Sequence, residues 1–141
     1  MSDLYDEDIL LWSEHQAELL RRLASGEPVD ERPDWANIIE EVESVGREQL
    51  HAVESQLLQA LLRMLKPEGW PQARDVENWL SEARRFRVQA RRRFVPSMQR
   101  NIDVAGIYAD ALKALPMRMD GQPPRPVASD CPMTLDELLD V

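Results

Sequence analysis

Apolar residues recur every three or four positions along most of the chain, which is the spacing of helices with one buried face. Near the N-terminus this stripe consists of Tyr5, Ile9, Trp12, Leu19 and Leu23. The alternation with a period of two that marks a half-buried strand is absent from the sequence. The pattern therefore predicts an all-α protein, a helical bundle of three to four main helices plus a short C-terminal helical turn.

Capping residues and helix breakers predict where these helices begin and end. Gly26 follows the first helix, Asp34 can cap the second, and Pro116 should end or kink the fourth. A break is predicted at 66–71, which contains two prolines and a glycine. The predicted helices run from Asp3 or Asp6 to Ala24, from Asp34 to about residue 65, from about Asp75 to the hinge at Pro96 and Ser97, and from Met98 to about Leu115.

The second predicted helix is the longest, and its C-terminal end is apolar on two sides. Leu58, Leu62 and Leu65 lie opposite its main stripe, so we expect other helices or a second subunit to cover this end and make it the centre of the core. Gly46 lies at the edge of the stripe, where a missing side chain allows close helix approach. The stripe consists of Trp35, Ile38, Ile39, Val42, Val45, Gln49, Val53, Leu57, Ala60 and Met64.

The C-terminal part of the chain changes character. Residues 120–132 contain four of the ten prolines and have no helical periodicity, which predicts a proline-rich strap. Thr134 and Glu137 form a capping-box pattern, and we expect 133–141 to pack back onto the body. The length of 141 residues suits one domain, so we predict a single helical domain over 1–141.

Charge is distributed unevenly along the chain, which has a net charge of -9. Residues 1–60 carry 15 acidic and 4 basic side chains, residues 61–126 carry 7 and 13, and the last 15 residues carry 4 and 0. An acidic protein is not attracted as a whole to nucleic acid or to anionic lipid. This disfavours nucleic acid as a partner and leaves only the middle third for an anion site.

The cysteine count and the length of the apolar runs indicate in which cellular compartment the protein resides. The single cysteine, Cys131, excludes an internal disulfide and favours a reducing environment. The acidic N-terminus lacks the basic start and apolar run of a signal peptide, and no apolar run is long enough to cross a bilayer. We therefore expect a cytoplasmic protein without a membrane partner.

Four strings of residues resemble a known bacterial family. They are Leu4-Tyr5-Asp6-Glu7-Asp8, Asp34-Trp35, Ile39-Glu40-Glu41-Val42-Glu43-Ser44-Val45-Gly46-Arg47 and Cys131-Pro132-Met133-Thr134-Leu135. In this order the chain resembles, over nearly its whole length, the domain-of-unknown-function family numbered twenty-nine. It departs from the family pattern after residue 66 and at Pro116. The resemblance implies an all-helical fold and brings no established activity, cofactor or catalytic residue.

Neither histidine has the sequence neighbours of a metal or catalytic site. Glu48 and His51 have the Glu-x-x-His spacing of ferritin-like bundles, but the second copy of that motif is missing and His51 lies on the outer side of its helix. His15 is near Asp8 by helical spacing, and we expect it to be a boundary histidine bonded to a carboxylate. The sequence predicts no catalytic residue, no metal site and no cofactor.

Three further residues have simple structural interpretations. Glu43 and Arg47 have the i, i+4 spacing of a helix-stabilising ion pair, which explains them better than a paired-carboxylate site does. The Arg47 to His51 spacing is one residue short of that used by a class of helical-bundle ribonucleases. Cys131 has no basic neighbour that would activate it as a nucleophile, and we expect it to pack under the tail.

The third predicted helix contains six arginines in a stretch of ten residues, 84–93. Glu82 is the nearest acidic residue at helical spacing that could pair with one of them. Three fates remain open for this group: a solvated face, a dock for the acidic first third of the same or another subunit, or a phosphate-binding patch. The candidate partner or anion-binding face consists of Arg84, Arg85, Arg91 and Arg92.

These observations lead to two functional hypotheses. The first is a non-catalytic helical binding or assembly module that self-associates or binds a protein partner, suggested by the uneven charge and the doubly apolar end of the second helix. The alternative is a small hydrolase acting on RNA or another phosphate ester, with His51 or His15 as the base and the arginines as an anion clamp. Whether the protein is an enzyme stays open at this point.

Overall fold

The computed structural model describes residues 3–141, which form six α-helices and no strand. Four of the helices are long, and a short one lies near the C-terminus, which confirms the predicted fold class. A 3-10 turn at Pro96–Met98 connects two of them. The helices are α1 (Leu4–Glu7), α2 (Ile9–Ala24), α3 (Trp35–Gly69), α4 (Val76–Arg93), α5 (Val104–Ala114) and α6 (Leu135–Leu139).

Contacts between residues divide the chain into two compact units, Met1–Arg47 and Glu48–Val141. The first unit contains α1, α2 and the N-terminal part of α3. The second contains the rest of α3 and all later helices. The single domain over 1–141 stays a prediction.

In the first unit, the predicted first helix is interrupted at Asp8. This residue has φ -151° and ψ 86°, so it leaves the helical conformation, and its carboxylate accepts a hydrogen bond from the Leu11 amide at 3.0 Å. An aspartate side chain can accept a hydrogen bond from a backbone amide that has no partner at the start of a helix, and this favours a new helix start after Asp8. The other end follows the prediction, because Gly26 adopts a φ of 82° just beyond α2.

The start of α3 is tied to α2 by a small polar network. The indole Nε1 of Trp12 donates to a carboxylate oxygen of Asp34 at 2.9 Å, and the Asp34 amide donates to the Gln16 side chain at 2.8 Å. Hydrogen bonds from Asn37 and Trp12 lower the pKa of Asp34. The side-chain oxygen of the buried Gln16 is therefore satisfied, and the network orients α2 against the first turn of α3.

The second unit contains the main hydrophobic core. The largest of its fully buried side chains are Leu57, Leu138 and Val53. This confirms that the C-terminal end of the long helix lies at the centre of the core. The core residues are Val53, Leu57, Leu61, Leu65, Ala90, Met98, Ile107, Tyr108, Ala111, Leu135 and Leu138.

Helix α3 ends later than its sequence predicts. It continues through Pro67 to Gly69, although this proline has no amide hydrogen to donate to the Arg63 carbonyl. The chain turns at Gly69, where an added Cβ would lie only 3.0 Å from Pro124. The Trp70 indole then donates to the Gln122 carbonyl at 3.0 Å and anchors the strap.

Helix α5 is shorter than predicted. It begins at Val104 because Asp103 caps it, accepting a hydrogen bond from the Gly106 amide at 3.1 Å. Met98, the predicted first residue, instead ends the 3-10 turn and is buried. At the other end Leu115 is extended, as expected for a residue that precedes proline.

The C-terminal segment is held by specific contacts within the second unit. The Tyr108 hydroxyl donates to the Ala128 carbonyl at 2.6 Å, in the middle of the strap. The capping box is present, with Thr134 and Glu137 satisfying each other's backbone amides. Cys131 is partly buried against the core, and its thiol donates to the Met133 carbonyl at 3.3 Å.

Candidate interaction surfaces

An apolar stripe on the N-terminal part of α3 is exposed. Trp35, Ile39, Val42 and Val45 are 43%, 54%, 68% and 63% exposed. The sequence predicts these positions as part of the core face, and that prediction is wrong for this part of the helix. We call these four residues the bare stripe.

The geometry of α3 explains why the bare stripe is uncovered. At 100° per residue, Asp34 and Glu41 lie on one side of the helix, roughly 120° around it from the centre of Trp35, Ile39 and Val42, and Val45 lies between the two sides. This is the side that contacts α1 and α2, since Trp12 bonds to Asp34 and the Tyr5 hydroxyl donates to Glu41 at 2.5 Å. Bonding to Glu41 raises the pKa of Tyr5 to about 12. Helices α1 and α2 therefore cover one side of α3 and leave the neighbouring side open.

Three residues of the bare stripe, together with Gly46, have the spacing of a coiled-coil seam. Trp35, Ile39, Val42 and Gly46 are separated by four, three and four residues, and they fall within about 60° of the helix circumference. Gly46 is exposed, and an added Cβ there would meet nothing within 4 Å. The glycine therefore leaves a gap in the line of apolar side chains, where a helix could approach closely.

The charges beside the bare stripe are mostly negative. Met1–Arg47 carries 13 acidic and 4 basic side chains, a net charge of -9. Arg47 pairs with Glu40 at 2.6 Å and with Glu43 at 3.9 Å. The predicted i, i+4 pair is thus confirmed, and Arg47 neutralises part of the acidic charge next to the stripe.

The histidines occupy ordinary surface positions. His15 bonds to a carboxylate as predicted, although the partner is Glu31 at 2.7 Å rather than the nearby Asp8. His51 is exposed and has no hydrogen-bond partner within residues 3–141. In the same residues no group of three histidine, cysteine or acidic side chains is placed to hold a metal ion. No observation favours either histidine as a catalytic base.

Two arginines of α4 bind the C-terminal tail of the same chain. The Arg87 guanidinium donates to the Leu138 and Glu137 carbonyls, each at 2.9 Å, and Arg91 donates to the Val141 carbonyl. The Leu138 and Glu137 carbonyls lie at the end of α6, where a helix has few backbone donors left for them. Arg91, one of the candidate partner-binding residues, is therefore already occupied by the tail.

The other three candidate arginines have separate surroundings. Arg85 lies over the Phe86 ring, with its guanidinium carbon 5.7 Å from the centroid. Arg84 lies beside the tail residues in a shallow cleft of about 320 Å³. Arg92 lines a polar cleft with its neighbour Arg93. The four arginines of the predicted face thus have different local surroundings.

The second unit contains a partly buried ion pair that the sequence does not predict. Arg63 donates to Glu82 at 2.5 Å, and its guanidinium also lies 4.7 Å from the Phe86 centroid. Arg63 holds the pKa of Glu82 below its usual range. Helical periodicity carries no signal for this pair, because its partners come from different helices, 19 positions apart.

None of the helices that the structure describes is both long enough and apolar enough to cross a membrane.

Comparisons with known proteins support the fold and add no activity. The family model described as "Domain of unknown function DUF29" matches residues 4–141. The crystal structure of an alpha-helical protein of unknown function from Rhodospirillum rubrum is similar to this chain, with a TM-score of 0.67 and 28% identity over 99% of this chain and 91% of that chain. No curated protein matches the chain.

Proposed function

The chain belongs to the DUF29 family, and we propose that it is a non-catalytic assembly module that pairs with a second copy of itself through the bare stripe of α3. The observation that supports this proposal is the exposure of four large apolar side chains on one part of one helix, three of them at seam spacing. A monomeric protein rarely leaves such a patch open to water, and patches of this kind mark interaction sites.

The exposed area suits a weak dimer. A fully exposed Val or Ile presents on the order of 100 Å² of apolar side-chain surface and a Trp about 200 Å², so the exposed fractions of the bare stripe offer roughly 270 Å² per copy. A standard interface buries about 800 Å² per partner, of which roughly 60% is apolar. The stripe supplies more than half of that apolar area, and the same unit has further exposed apolar residues on α2, namely Ile9, Leu10 and Leu11. We expect a dissociation constant in the micromolar range.

The spacing of the stripe favours a second copy as the partner. A coiled-coil seam is complementary to another helix with the same spacing, and a second copy necessarily carries it. Two identical surfaces can close around a two-fold axis, which is the commonest symmetry of soluble oligomers. The gap at Gly46 would then receive a large side chain from the facing helix.

Charge determines how this association depends on salt. Two units of net charge -9 repel each other, and the repulsion is screened over about 8 Å at physiological ionic strength. Stripe-to-stripe pairing should therefore tighten as salt is added. Docking of the acidic unit onto the arginines of α4 would weaken with salt, so the sign of the salt dependence distinguishes the two arrangements.

Sedimentation equilibrium of the wild type and of Val42→Glu tests the proposal. We expect a concentration-dependent dimer for the wild type and a monomer for the variant, because the substitution places a charge in the seam. Val88→Glu is the matched control, since Val88 is also an exposed helical valine but lies on α4. A wild type that is monomeric up to about 1 mM, or a Val42→Glu variant that dimerises like the control, would contradict the proposal.

A reducing, cytoplasmic location is part of the same proposal. It is supported by the free, partly buried thiol of Cys131, which needs no disulfide partner. Fractionation of the native cell tests it, and recovery of the protein outside the cytoplasmic fraction would contradict it.

A further inference from the structure

Four positions of α3, which we call the seam, have a spacing that is symmetric about its centre. They are Trp35, Ile39, Val42 and Gly46, and they are separated by four, three and four residues. A second copy of α3 that runs in the opposite direction therefore carries its seam in register with the first. In that register Trp35 faces Gly46 of the second copy, and Ile39 faces Val42 of the second copy.

The side-chain sizes at the two ends of the seam favour this direction. Trp35 is the largest residue of the seam and is 43% exposed, whereas an added Cβ at Gly46 would meet nothing within 4 Å. Antiparallel pairing places the indole of each copy in the gap of the other. Parallel pairing would place the two indoles against each other and leave a void between the two glycines. Such a void is costly because the atoms that line it lose their packing contacts.

The residues beside the seam favour the same direction. Ile38 and Val45 lie along one edge of the seam, and Glu43 lies along the other edge. When two identical helices run antiparallel, like edges meet, so Ile38 of one copy lies beside the exposed Val45 of the other. When they run parallel, unlike edges meet, and the Glu43 carboxylate would lie beside the apolar Ile38, where it loses water. The antiparallel pair therefore covers Val45 and avoids this loss.

From these observations we infer that the two copies of α3 pair antiparallel and that Trp35 of each copy inserts into the gap at Gly46 of the other. The inference rests on the proposed function, which is self-association through the bare stripe. The two indole contacts lie at opposite ends of the seam, about 16 Å apart along the helix. Each copy supplies both an indole and a gap, so the surface is specific for a second copy of this chain.

Pulsed electron spin resonance on the full chain tests the direction of pairing. Cys131→Ser removes the native thiol, and either Glu40→Cys or Arg47→Cys provides one labelling site. Both sites are exposed on the side of α3 away from the seam. In the antiparallel pair the two labels at residue 40 are offset by about 1.5 Å along the helix axis, and those at residue 47 by about 20 Å. In a parallel pair the offset is close to zero at both sites.

We expect the distance between labels at residue 47 to exceed the distance at residue 40 by roughly 5–10 Å. Adding Val42→Glu to each labelled protein is the control, and it should abolish the dipolar signal. Equal distances at the two sites would overturn the antiparallel arrangement and leave the proposed function standing. A labelled protein that is monomeric, together with a monomeric wild type, would overturn both.

A pair of size changes tests the contact between Trp35 and Gly46 itself. Trp35→Ala removes the indole and Gly46→Leu fills the gap, so each single variant should raise the dissociation constant at least about tenfold. Within one copy the two positions are about 16 Å apart, so independent effects would multiply to at least about 100-fold. The inferred contact places the new leucine against the new alanine, and the double variant should bind within about tenfold of the wild type. A double variant that shows the full product would overturn the contact.

Discussion

Replacing Val42 by alanine should act in opposite directions on the monomer and on the dimer. Val42 is 68% exposed within the chain, so its truncation takes little packing away from the monomer. Alanine is the better helix former by up to about 0.7 kcal/mol. The free energy of unfolding of the monomer should therefore stay the same or rise slightly.

The expected loss in the dimer follows from the buried area. The substitution deletes two methyl-sized groups at about 0.8 kcal/mol each, of which 68% is available for burial, giving about 1 kcal/mol per copy. A two-fold interface contains the residue twice, so the dimer should lose about 2 kcal/mol. This corresponds to a dissociation constant raised roughly 30-fold.

Sedimentation equilibrium gives the dissociation constant, and urea unfolding below that concentration gives the stability of the monomer. Val88→Ala serves as the control, because it makes the same change at a valine that is 38% exposed on α4. The reasoning is refuted if Val42→Ala changes the dissociation constant no more than Val88→Ala does. It is equally refuted if Val42→Ala lowers the stability of the monomer by more than about 1 kcal/mol, since Val42 would then be packed within the chain.

Three further outcomes are expected. Gly46→Ala should stabilise the monomer by about 1 kcal/mol in thermal unfolding, because nothing lies within 4 Å of the new Cβ, yet it should weaken the dimer in sedimentation by filling the gap in the seam. Arg87→Lys should raise the hydrogen-exchange rate of α6, since lysine cannot bond to the Leu138 and Glu137 carbonyls together; an unchanged rate would show that α6 is held by its apolar side alone. The pKa of Glu82 in the folded protein lies below 4.5, so this residue stabilises the fold above pH 4.5, and that stabilisation is lost as the pH falls through the folded-state pKa. Glu82→Gln should therefore make the free energy of unfolding less dependent on pH in this range. Parallel profiles for the wild type and the variant would contradict this expectation.

The parts of the fold that the sequence predicts well are those set by local chemistry. The capping box at Thr134, the glycine cap at Gly26 and the apolar periodicity each depend on residues within one or two helical turns. The interruption at Asp8 and the late start at Asp103 follow from the same capping chemistry. The sequence does not predict these two helix starts, because an aspartate inside an apolar pattern can either cap a helix or lie on its outer face.

The candidate surfaces were harder to predict, because they depend on contacts that are distant in sequence. Periodicity shows that Ile39 and Val42 share an apolar face but does not show whether another element covers it. Arg91 likewise lies on the outer side of α4 by helical spacing. Its carbonyl partner is 50 positions away, and helical spacing has no means of predicting such a contact.

The most direct test of the central claim is acrylamide quenching of tryptophan fluorescence at increasing protein concentration. Of the four tryptophans, Trp35 lies in the bare stripe and is exposed, whereas Trp12, Trp70 and Trp79 are buried. If two copies pair through the stripe, the quenchable part of the emission should disappear over the concentration range in which sedimentation shows the dimer forming. A quenchable fraction that stays constant through that range would place the interface elsewhere and contradict the account.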